Sequence, residues 1–212
     1  AAASQFKRVA EMATQPDIRA NALFDAGAAE IELKDWANAQ ATLESYRQLY
    51  PKRGLQHEVA PKLALAYGEQ QKWGPAAKEL ERVLASTKDA NLAKQLQWQI
   101  AEYFDKAGDT ASATRAYERY LTTLLAARPV ALVTAIEARH RLAQLAKREG
   151  NAKREMALLK DIMEADRQGG AARTDRTRYL GAMAALALAE PSAQAFRQVA
   201  LVEPLQKQLK LK

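Results

Sequence analysis

Lys34-Asp35-Trp36-Ala37-Asn38-Ala39 is followed, 37 residues on, by Gln71-Lys72-Trp73-Gly74-Pro75-Ala76, and after the same interval by Gly108-Asp109-Thr110-Ala111-Ser112-Ala113. Each stretch passes through a turn and an aromatic or small residue to reach an alanine. A fixed period in the thirties is the mark of a helical repeat array, in which no unit can bury its apolar side alone. Stacked units of this kind present extended binding surfaces, so the pattern points to recognition before chemistry.

Outward from the first stretch, 20–51 reads as a helix pair. Leu23, Ala26, Gly27 and Ile31 lie near one face of the first helix. Asp35 is placed to cap the second helix and Pro51 ends it. Segment 57–88 repeats the pattern with Ala60, Leu63, Ala64 and Tyr67, then Pro75 in a first turn, where its missing N–H is harmless. Segment 94–128 repeats it with Ile100, Ala101, Phe104, Ala113, Tyr117 and Tyr120. Segment 131–166 is a divergent fourth pair, because Glu155 falls where the small alanine is expected. Residues 1–16 read as the end of a preceding repeat. Segment 174–212 reads as a C-terminal pair, with Thr174 or Asp175 as cap, a turn at Glu190-Pro191-Ser192 and a kink at Pro204. The expectation is one solenoid domain, a fragment of a longer array whose open ends allow self-association.

These segments resemble the tetratricopeptide repeat. The resemblance rests on Ala22-Leu23-Phe24-Asp25-Ala26-Gly27 with Asp35, Trp36, Ala39, Leu43, Tyr46 and Pro51, then on Leu63-Ala64, Tyr67, Trp73 and Ala76, and on Ile100-Ala101, Phe104, Gly108-Asp109, Ala113 and Tyr117. It implies an all-α fold, a right-handed α-α superhelix built as a solenoid of antiparallel helix pairs. Gly27, Ala64, Ala101 and Ala143 would supply gaps for Leu43, Leu80, Tyr117 and Leu159. The period of 37 departs from the family's 34. A second resemblance, carried by 135–143, 164–167 and 174–180, is to long envelope proteins of Gram-negative bacteria associated with TonB-type uptake or gliding motility. It implies a periplasmic or envelope location, with the cytoplasm as alternative.

The family's first helices line a concave groove. Matching register then sets Phe24, Pro61, Trp98 and His140 at equivalent inward positions, Asp25, Lys62, Gln99 and Arg141 one residue on, and Ala28, Leu65, Glu102 and Gln144 a turn further. The expected groove residues are Phe24, Asp25, Lys62, Leu65, Trp98, Gln99, Glu102, His140, Arg141 and Gln144. Phe24 and Trp98 would be the apolar anchors; Lys62, Arg141, Lys147 and Arg148 would meet acidic groups on a protein or peptide partner. Trp36 and Trp73 read as core. Only Lys62 supplies a cation among the positions that in chaperone-tail receptors of this fold grip a terminal carboxylate, so that device is not expected.

The chain has 212 residues, 48% of them hydrophobic, no cysteine and a net charge of +7. Lack of cysteine excludes disulfides, thiol nucleophiles and thiolate metal sites. No apolar run approaches the length of a membrane span. The two histidines, His57 and His140, are far apart in sequence, and no phosphate loop or nucleophile elbow occurs. No enzyme activity, cofactor or metal is therefore expected. Glu30, Glu32, Glu79 and Glu81 read as surface acids. From Arg141 onward the chain carries 14 Lys+Arg against 8 Asp+Glu. This excess, with Arg167, Arg173, Arg176 and Arg178 around a break at Gly169-Gly170, supports an alternative function: binding a polyanion such as cell-wall glycan, nucleic acid or anionic lipid. Aromatics do not alternate with these cations, so no specific nucleic acid is expected.

Overall fold

The computed structural model describes residues 2–199. Among them are ten α-helices and no strand: α1 (Ala2–Met12), α2 (Pro16–Glu32), α3 (Trp36–Leu49), α4 (Gln56–Glu69), α5 (Trp73–Ser86), α6 (Ala90–Lys106), α7 (Thr110–Ala126), α8 (Leu132–Arg148), α9 (Ala152–Gln168) and α10 (Asp175–Gln198). The helices form two compact units that divide inside α7, between Ala116 and Tyr117. Within each unit the turns are short, so consecutive helices run antiparallel and pack as pairs. The all-α class of helix pairs read from the sequence is the one the chain has.

The 37-residue period is a period of backbone conformation. Lys34, Gln71 and Gly108 share one register position, and all three adopt the left-handed conformation, with φ of 58°, 57° and 75°. Gly150 does the same between α8 and α9, with φ of 70°. In each turn the next amide closes back on the preceding helix: Asp35 N–H to Glu30 O at 2.9 Å, Lys72 to Tyr67 at 2.9 Å, Asp109 to Phe104 at 3.0 Å and Asn151 to Ala146 at 2.9 Å. This satisfies carbonyls that a helix end otherwise leaves without donors. The same residue then starts the next helix. The side chain of Asp35 accepts from Asn38 N–H, that of Asp109 from Ser112 N–H and that of Asn151 from Arg154 N–H. Lys72 offers no side-chain cap.

In the first unit the core joins α2, α3 and α4 through Ala20, Phe24, Leu43, Tyr46, Val59 and Leu63. Gly27 is small of necessity. A Cβ there would lie 2.7 Å from Cγ and Cδ2 of Leu43, a side chain with no exposure. In the second unit α8, α9 and α10 meet at Ile136, Ile162, Leu180 and Ala184. Asp166, on α9, is buried there and accepts two bonds from Arg173, at 3.1 and 2.7 Å. Thr174 and Thr177 close a reciprocal capping box at the start of α10.

Two expectations are corrected. The turn at Glu190-Pro191-Ser192 is absent, because α10 runs through Pro191 to Gln198. Proline removes one hydrogen bond, and this alanine-rich stretch is largely exposed, so the freed carbonyl is open to solvent. Glu30 and Glu79 are not surface acids but are 4% and 6% exposed. Lys7 of α1 reaches Glu30 at 2.6 Å, and Arg47 of α3 grips Glu79 of α5 with two bonds at 2.6 and 2.7 Å. A buried carboxylate is tolerable only when so paired. The kink expected at Pro204 and the end of the last helix lie outside the described residues.

Candidate functional site

The first unit carries an open pocket of about 340 Å³ built by α4, α5 and α6. Its walls are mainly apolar: Pro61, Ala64 and Leu65 from α4, Leu80 and Val83 from α5, and Leu96 from α6. Leu65 is 44% exposed, an apolar side chain held in water by its helix. At one end Trp73 and Tyr103 pack with ring centroids 5.1 Å apart and planes tilted by 54°. The Lys106 ammonium lies 4.6 Å from the Trp73 centroid and 5.6 Å from that of Tyr103, within the range where an aromatic face attracts a cation. The Tyr103 hydroxyl accepts from Gln99 Nε2 at 3.0 Å. Glu69 completes the rim.

The glycine and the tyrosine of this pocket depend on each other. Tyr103 shares its register position with Ala66 and Ala29, so the third unit alone places an aromatic ring there. Gly68 stands opposite, and a Cβ on it would lie 3.3 Å from the Tyr103 oxygen. The absent side chain makes room for the ring. That pairing was available in the aligned repeats, as the one position at which a tyrosine replaces alanine.

Of the expected groove residues, Leu65 and Gln99 line this pocket together. Phe24 does not, being 7% exposed in the core, edge-on to Tyr46 at 5.6 Å. The Lys62 ammonium covers its remaining face at 5.4 Å. Asp25 is exposed; Trp98 and Glu102 are half-buried on α6 outside the pocket walls. His140, Arg141 and Gln144 lie on α8, in the second unit. Burial pushes the His140 imidazole below its usual value. Of the two expected anchors, Phe24 is thus a core residue, and Trp98 stands outside the pocket that Leu65, Trp73 and Tyr103 line. Trp73, read as core, is a half-buried wall of the groove.

A second cluster joins α3, α4 and α5. The Tyr67 hydroxyl donates to Glu44, beside the Arg47–Glu79 pair. Burial and this hydrogen bond push the Tyr67 phenol well up. These bonds tie neighbouring helix pairs together and use the polar groups that form them.

The arginine cluster of the second unit is engaged in the same way. Arg167 pairs with Glu164, Arg173 with Asp166, Arg176 with Glu137 and Arg178 with Asp175. These pairings leave unchanged the net basic excess from Arg141 onward on which the polyanion reading rests. Among the described residues no group of three or more His, Cys, Asp or Glu is placed to hold a metal ion, and no helix is long and apolar enough to cross a membrane.

Residues 21–53, spanning most of α2 and all of α3, match the tetratricopeptide repeat family. The match covers this one helix pair; the other helices of the chain are described by their fold alone. Similar solved structures include the MamA RS-1 ArsTM double mutant, at 15% identity and TM-score 0.44 over 80% of this chain and 85% of that one. They also include nearly identical TPR-like repeats from Podosopora anserina, at 15% identity and TM-score 0.48 over 77% and 84%. A third is BtubC (BKLC) from P. vanneervenii, at 14% identity and TM-score 0.47 over 92% and 87%. No curated protein matches the chain in sequence.

Proposed function

We propose that this chain is a non-catalytic scaffold that takes a protein or peptide partner in the groove over α4, α5 and α6. The observation that carries the reading is the pocket itself, open, apolar and floored by side chains of three helices, with Leu65 exposed in its wall. Its volume is at the small end of the roughly 300–1,000 Å³ typical of ligand sites. That suits one or two inserted side chains, and aromatic residues such as Trp73 and Tyr103 are those that dominate interface energies.

The test is selection of binders from a random peptide library on the whole chain, followed by titration against Leu65→Asp. Leu65 is exposed, so the substitution leaves the fold intact, which circular dichroism checks. Expected is at least a tenfold loss of affinity, from a charge set in the apolar floor. Selected peptides that bind Leu65→Asp as well as the parent chain would overturn the reading. The proposed setting is a complex of the bacterial cell envelope, supported by the resemblance of 135–143 and 174–180. Cell fractionation of the native protein tests that separately.

A further inference from the structure

The rim of the pocket holds two charges that the protein itself does not neutralise. Glu69, at the end of α4, and Lys106, at the end of α6, occupy the same register position one period apart. Both are exposed and both line the pocket. Among the described residues Glu69 makes no ion pair, and Lys106 meets only the faces of Trp73 and Tyr103. Elsewhere in the molecule charges at helix-pair junctions find partners, as Arg47 does in Glu79 and Arg176 in Glu137.

We infer that the groove takes an extended peptide segment with an apolar anchor flanked by one acidic and one basic residue, the acid meeting Lys106 and the base meeting Glu69. This rests on the groove reading above and adds the partner's charge pattern to it. The two rim groups end α4 and α6 and border one pocket, so charges on either side of an anchor seated over Leu65 and the ring pair meet them as an extended chain advances by about 3.3–3.6 Å per residue. The Tyr103 hydroxyl accepts from Gln99, so its own proton is directed to an acceptor, and the acid approaching Lys106 provides one. A segment with two like charges would leave one rim group facing its own sign, which is how rim charges select a partner.

The experiment is fluorescence polarisation on the whole chain with labelled peptides that differ only around a central Leu. They carry Asp and Lys in either order, two Asp, two Lys, or two Ser. One Asp/Lys order should bind best, by about 2–5-fold per pair over the Ser peptide, as exposed ion pairs allow. Lys106→Glu should shift the preference to the Lys/Lys peptide, and Glu69→Lys to the Asp/Asp peptide. If the Ser peptide binds and Leu65→Asp abolishes this, but the swaps leave the ranking unchanged, the charge pattern is wrong and the groove reading stands. If no peptide binds, and sedimentation shows self-association that Leu65→Asp removes, the occupant is a second copy and both readings fall. If no peptide binds and the chain is monomeric, both fall as well.

Discussion

Lys34 and Gln71 hold a backbone conformation that suits glycine, and their register partner Gly108 shows what the turn prefers. A side chain in the left-handed region costs roughly 1–3 kcal/mol, and glycine loses about 0.5–1 kcal/mol more entropy on folding than alanine. The strain outweighs the entropy. Gln71→Gly is expected to stabilise the chain by about 1 kcal/mol, read as a higher urea midpoint at unchanged slope; a lowered midpoint would contradict the strain argument. The same position explains what the sequence hides. Gly108 announces its turn, whereas Lys34 and Gln71 do so only when the three units are aligned.

At the scale of the element, most of the helices were legible because capping and periodicity are local. Asp35 and Thr174 fix helix starts with their own side chains, where the sequence suggested caps, and Asp109, read only as part of a turn, does the same. Pro191 misled for a physical reason: proline weakens a helix without obliging it to stop where water can take the orphaned carbonyl. The buried acids misled for another. Glu30 aligns with Tyr67 and Phe104, a core position, but its partner Lys7 lies on a different helix, and pairing between helices leaves no local trace. The site was legible only in part for the same cause. Register found Leu65 and Gln99, yet whether Phe24 faces a groove or a core depends on Tyr46 and Val59 across the unit. The junction of α9 and α10 gives a pH test of such pairing. The Arg173 hydrogen bonds hold the Asp166 carboxyl below its usual range. A carboxyl lowered in the folded state contributes stability that is full above its unfolded value, near about 3.9. That stability fades as pH falls toward the folded value. The stability gap between the parent chain and Asp166→Asn should be widest above about pH 5 and should narrow below about pH 4. Denaturant melts at stepped pH measure it, and a gap that widens in acid would refute the assignment.

For the molecule as a whole, charge is distributed unevenly. The first 140 residues are nearly balanced and the basic excess follows them, yet the four arginines around Gly169-Gly170 are engaged with acids. A chain with such engaged cations should bind polyanions weakly and give a shallow salt dependence. Elution from a heparin column near or below physiological salt is the expected outcome. Retention at several times that concentration would restore the basic surface as a functional one.

The recurring left-handed turn also bears on how such a chain can change in length. Since Lys34, Gln71 and Gly108 close the same hydrogen-bonded corner at equal intervals, a duplication of 37 residues carries one complete corner and rejoins its neighbours in register. Gly150 closes the same corner at a longer interval, so a unit tolerates extra length within its helices while keeping its corner. A groove of this kind would change in steps of one unit, each adding or removing one rim position of the kind now held by Glu69 and Lys106.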